Sequence, residues 1–224
     1  MMDWLHGTWA IFEKDVRLEL RSRYAINSLL MFVLASMPLI IFALDRNNIG
    51  MREQSALLWI IILFSAAVGL GRSFISEQER GTVLLLQLNT RPSMVYAGKL
   101  LFNILLILSV NITALFAFMF FLQLSVKIPG LLIVTLLLGA IGLAGATTLL
   151  AALIARSSNQ GALLPVLLFP ILIPLLISVV HATQTALDEN SNWNAASEDL
   201  KVLIGFAGVT ITTSVLLFDY VWND

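Results

Sequence analysis

A chain of 224 residues that is 58% hydrophobic and only 12% charged, with a net charge of −1, excludes several classes of protein at once. A soluble domain carries about 25% charged residues, so most of this surface must meet lipid or other apolar helices, and near-neutrality leaves no basic face for nucleic acid. The absence of cysteine removes disulfides, thiolate metal sites, thiol nucleophiles and covalent haem-attachment motifs.

Residues 4–22 form the first predicted element. Leu5, Trp9, Phe12, Val16 and Leu20 step by four, three, four and four residues, making one apolar stripe, while Glu13, Lys14, Arg17 and Arg21 fall away from it. Such a basic, Trp-containing helix is expected to lie in the headgroup plane; packing on a partner protein is the alternative. Seven charged residues between Glu13 and Arg23, counting Asp15 and Glu19, occupy the place of a signal peptide's apolar core, so no cleaved signal is expected.

Six segments then have the ~20 apolar residues that a ~30 Å hydrocarbon core requires: roughly 25–44, 56–75, 98–125, 130–155, 160–182 and 202–221. With the N-terminus inside, nine of the thirteen basic residues fall on the cytoplasmic side (Lys14, Arg17, Arg21, Arg23, Arg72, Arg80, Arg91, Lys99, Arg156). Arg46, Arg52, Lys127 and Lys201 fall outside. This bias predicts that both termini are cytoplasmic.

The segment 77–91 lies in the longest cytoplasmic connection. Glu77, Gln78, Glu79 and Arg80 precede Gly81-Thr82 and an apolar run from Val83 to Leu88, which Arg91-Pro92 ends. The pattern predicts a short helix along the membrane with a charged end toward the cytoplasm, on which a motor protein could push. A solvated loop whose charges only set topology is the alternative.

Gly139, Gly142 and Gly145 in the fourth span predict close helix packing. Pro165, Pro170 and Pro174 in the fifth each remove an N–H, predicting a kinked or broken helix and a candidate gate, although a static kink fits equally. His6 and His181 make no metal-ligand spacing. Trp4, Trp9, Trp59, Trp193 and Trp222 lie near predicted boundaries, as an aromatic belt would. No phosphate-binding G-x-x-x-x-G-K-[ST] occurs: Gly98-Lys99 has Ser93 where the loop needs Gly and Leu100 where it needs Ser or Thr. The chain is therefore not expected to be an enzyme, and any ATP hydrolysis must belong to another chain.

The interfacial E-K-D-V-R-L-E-L-R-S-R helix, two spans and then S-E-Q-E-R-G-T resemble the permease subunit of type-2 ABC exporters. The fifth span L-L-P-V-L-L-F-P-I-L-I-P-L-L-I and the C-terminal L-L-F-D-Y-V-W are more closely similar to CcmB, the haem-exporter permease of cytochrome c maturation. The resemblance covers nearly the whole chain. It implies an all-α, six-span permease domain with an interfacial helix and a coupling helix, in the bacterial inner membrane. It further implies that Glu77, Gln78, Glu79, Arg80, Gly81 and Thr82 contact a CcmA-type ATPase. The expected partners are CcmC- and CcmD-like subunits and a second copy of the chain, in haem delivery to a haem chaperone. No intrinsic cofactor is expected; haem would be cargo or a ligand of the complex, with His181 the candidate iron ligand from the outer side. The tryptophan-rich W-G-x-x-W-x-W-D motif of the CcmC family is missing here, and the resemblance therefore implies that haem handling falls mainly to another subunit.

Three other functions were weighed on the same residues. A type-2 permease for a lipid, polysaccharide or drug shares the coupling segment. An ion- or proton-coupled transporter would place Asp, Glu or His within its spans, and the third, fourth and sixth offer none but terminal groups such as Asp219. A purely structural membrane subunit needs no catalytic constellation.

Overall fold

The computed structural model describes residues 2–44, 49–70, 77, 81–154 and 160–223, and every regular element among them is helical. The helices are α1 (Met2–Ser22), α2 (Tyr24–Ala43), α3 (Met51–Gly69), α4 (Val83–Asn89), α5 (Pro92–Phe121), α6 (Pro129–Ile154), α7 (Gln160–Leu187) and α8 (Ser197–Asn223), with a 3-10 turn at Trp193–Ala196. Among the described residues, five stretches are long and apolar enough to cross a membrane: Tyr24–Ala43, Pro92–Phe121, Pro129–Ile154, Val166–Leu187 and Trp193–Phe218. Helix α3 occupies most of the expected 56–75 span, whose residues 71–76 lie outside the described ones.

Helix α6 is the centre of the bundle, packed by α5, α7 and α8 and touched by α3. Its glycines are the reason. A Cβ on Gly139 would lie 2.3 Å from the Trp59 ring, and one on Gly142 would lie 2.3 Å from Leu175. These positions let α3 and α7 approach the α6 backbone directly, as small residues do where lipid gives no hydrophobic drive to association. Trp59 is consequently buried, not part of an aromatic belt, and its Nε1 donates to Thr183 Oγ1 at 2.8 Å. Trp222 is likewise buried, stacked on Phe218, which also meets Tyr96 of α5.

Several polar groups inside the bundle find partners within the protein, where lipid offers none. Asn103 Nδ2 donates to Thr148 Oγ1 at 2.8 Å, Asn111 Nδ2 to the Leu136 carbonyl at 3.1 Å. Thr135, Thr147 and Thr148 bond back to carbonyls four residues earlier on α6.

Helix α7 runs unbroken through its three prolines. The helix is not broken at them, which corrects the expectation of a broken fifth span. Pro170 and Pro174 face out of the bundle, while Leu168, Leu172 and Leu175 face in. The side chain of Pro165 lies outside the described residues.

Two sets of contacts define the ends of the bundle. At one end the Lys127 and Ile128 N–H groups donate to the Ala186 carbonyl at 3.1 and 2.9 Å, Lys127 pairs with Glu189, and a cavity of about 460 Å³ opens beside them. At the other end lie α1, Glu77 and α4, with the Gln87 amide donating to the Trp222 carbonyl.

Candidate coupling site

Helix α1 lies against α5, and its most buried line is not the apolar stripe. Thr8, Ile11 and Asp15 are buried, whereas Leu5, Trp9 and Leu20 are exposed. A Cβ on Gly98 of α5 would stand 2.8 Å from Ile11 and 2.9 Å from the Thr8 carbonyl oxygen, so the two backbones touch. Trp4 Nε1 adds a 3.1 Å bond to Ser93 Oγ. Phe12 and Val16 of the stripe lean on the core, while Leu5, Trp9 and Leu20 are left exposed, as an interfacial helix allows. A left-handed Arg23 (φ 52) turns the chain into α2, and the Glu19 carboxylate accepts the Ile26 N–H at 2.8 Å.

Between α1, α5 and the start of the 77–91 segment sits a cluster of four charges. Lys99 is fully buried; its ammonium lies 3.2 Å from Asp15 Oδ2 and 3.5 Å from Glu77 Oε1. Lys14 pairs with the same Glu77 oxygen and stands 3.3 Å from Asp15 Oδ1. The Thr82 hydroxyl donates to Glu77 Oε2. Burial pushes the Glu77 carboxyl upward, but the Lys99 charge, hydrogen bonds from Lys14 and Thr82 and the Lys14 charge outweigh it and hold the group below its ordinary value. Two cations and two anions balance, which is what allows the cluster to be buried.

Gly81 closes this segment. Its φ of +66 is the left-handed conformation that glycine adopts without strain. The Thr82 N–H donates to the Glu77 carbonyl at 3.1 Å. Helix α4 follows, with Val83 and Leu86 turned to the core and Leu85 and Leu88 exposed.

The sequence-derived site residues are thus distributed unevenly. Gly81 is exposed and Thr82 half-buried. Glu77 is inward, engaged by lysines of its own chain, not offered to the outside as the charged end of a helix. Gln78, Glu79 and Arg80 lie outside the described residues. His181 is far along the chain, at the exposed end of α7, with its Nδ1 2.5 Å from Asp199 Oδ2 of α8. No group of three metal-binding side chains occurs among the described residues.

Asp15, Lys14 and Lys99 were missed by sequence reasoning. Lys99 was counted as a loop charge setting topology; instead it lies in the second turn of α5, because that helix starts at Pro92, well before the apolar run. A lysine so close to a span needs an anion, and that was the available signal.

A helical bundle with apolar outer faces, led by a helix whose exposed Leu5, Trp9 and Leu20 suit an interface, defines a multi-pass membrane protein. The CcmB protein family matches residues 6–219, and the chain belongs to that family. It is accordingly a membrane component of a haem-exporting ABC system in cytochrome c biogenesis. No curated protein matches the chain.

Proposed function

We propose that this chain is the six-span permease subunit of an ABC exporter, with α3 beginning the second span and both termini on the cytoplasmic side of a bacterial inner membrane. It carries no ATPase motif of its own and takes its drive from a CcmA-type partner that docks at residues 77–82. It works as a homodimer with CcmC- and CcmD-like subunits, and haem is cargo rather than a resident cofactor. ATP hydrolysis is spent on moving haem or on releasing the loaded chaperone.

The observation that carries this reading is the way the 77–89 segment is held. Glu77 is tied to α1 and α5, and Gln87 to the end of α8. A displacement applied between those points reaches three other helices. Because Glu77 is occupied within the chain, the ATPase contact falls to Gln78, Glu79, Arg80 and Gly81. The outer end offers His181, whose Nδ1 is engaged by Asp199, leaving Nε2 as the nitrogen for iron.

The test replaces Glu79 and Arg80 with alanine and follows co-purification of the ATPase together with c-type cytochrome yield in a deletion strain. Loss of both is expected. Undiminished association would remove the segment from the docking surface, and a deletion strain that keeps its c-type cytochromes would transfer the permease to another cargo, such as a lipid, polysaccharide or drug.

A further inference from the structure

The four-charge cluster at the α1–α5 contact reaches further than docking. We propose that Lys14, Asp15, Glu77 and Lys99 form a closed mechanical joint through which movement of the 77–82 segment is delivered to α1 and α5, with Lys99 and Asp15 as positioning residues. The proposal rests on the permease reading above and names the part that carries its motion.

Three features support a joint that stays shut. First, the cluster joins three separate parts of the chain: Lys14 and Asp15 from α1, Lys99 from α5, and Glu77 with Thr82 from the segment between α3 and α4. Second, its core is dry. Lys99 has no solvent exposure, and Asp15 and Glu77 are 6% and 5% exposed, while Lys14 closes the outer side with its side chain half-buried. Opening it would separate charges in a poorly solvated site, which costs far more than moving the three parts together. Third, the two helices touch closely around it: the backbones meet where Gly98 stands against the Thr8 carbonyl, and the Met94 side chain lies against Gly7. Helix α1 and the first turns of α5 therefore behave as one body, and Glu77 is the handle by which the segment holds that body. A push on residues 78–82 is carried to α5 and to the interfacial helix together, not absorbed in a loop.

A mere folding staple and a joint differ in what survives its removal. In the paired variant Asp15→Asn/Lys99→Met the cluster stays neutral and the Lys14–Glu77 pair remains. The complex is expected to assemble and hydrolyse ATP at the wild-type rate while c-type cytochrome yield falls at least tenfold, and Lys99→Arg is expected to retain activity. Unchanged cytochrome yield in the paired variant would overturn the joint.

A second measurement holds even if that variant fails to accumulate. The chain has no native cysteine, so Lys14→Cys/Glu77→Cys can be bridged selectively with a short bis-maleimide in the reconstituted complex. The unbridged pair is expected to be uncoupled, and bridging is expected to restore ATP-dependent activity, because a covalent tether replaces the ionic one. A bridged complex that stays inactive while still binding and hydrolysing ATP would show that the cluster must open, which refutes a closed joint. Failure of the wild-type chain to bind the ATPase would refute the permease reading itself, a different result.

Discussion

The contact of α1 with α5 can be tested at one atom. Gly98→Ala places a methyl 2.8 Å from Ile11 and 2.9 Å from the Thr8 carbonyl oxygen. Rotation would move the Ile11 Cγ2, but the Ile11 Cβ and the Thr8 carbonyl are fixed to the α1 backbone and cannot turn away. To restore even a tight contact of 3.4 Å, α1 must withdraw by about 0.5 Å. Overpacking of this kind costs about 1–3 kcal/mol, set against a gain of about 1 kcal/mol from replacing helical glycine by alanine. Gly208→Ala supplies the control, because a methyl there meets nothing within 4 Å. The helix-propensity gain is common to both, so the difference in stability between the two variants isolates the contact at about 1–3 kcal/mol. The assay is reversible unfolding in mixed detergent micelles, with tryptic cleavage at Arg21 and Arg23 as a local probe of α1. Equal stabilities and equal cleavage rates would refute the close contact of the two backbones.

Acid should loosen the charge cluster. Because Glu77 is held below the ordinary value of 4.5, its contribution is complete above that pH and is lost as pH falls through the lower folded value. Glu77→Gln is expected to flatten that part of the acid-unfolding profile, and an unaltered acid limb would contradict it. Trp59→Phe removes the donor to Thr183 and leaves a gap against Gly139; a loss of about 1–3 kcal/mol is expected in the same unfolding assay. His181→Ala in the purified complex tests iron ligation by its haem absorption spectrum. A ligand role requires the Soret band to shift or fall, with Asp199→Asn weakening it in the same sense. An unchanged spectrum assigns the pair to bridging α7 and α8.

The long helices were legible because each is a run of about twenty apolar residues, a signal that local sequence carries by itself. The small-residue contacts of α6 were legible for the same reason, since glycine at positions 139 and 142 has few other uses in a membrane helix. Helix α1 shows where such reading turns around. In a water-soluble helix the apolar stripe marks the packed face; here the stripe is divided, with Leu5, Trp9 and Leu20 exposed and Phe12 and Val16 against the core, and the most buried line runs through Thr8, Ile11 and Asp15. Helix α4 was anticipated from its apolar run and its flanking Gly81 and Pro92. The cluster beside it was not, because its chemistry depends on Asp15 and Lys99 meeting across 84 positions, and no periodicity links residues that far apart.

That same separation orders events during synthesis. At about 5–20 residues per second, Lys99 leaves the ribosome roughly 4–17 s after Asp15. During that interval α1 has no cation on α5 to meet and no Gly98 to rest against, although α2 and α3 have already been made. Helix α1 therefore takes its seat only after α5 has followed it, and a chain arrested before Lys99 leaves the Asp15 carboxylate without its buried partner.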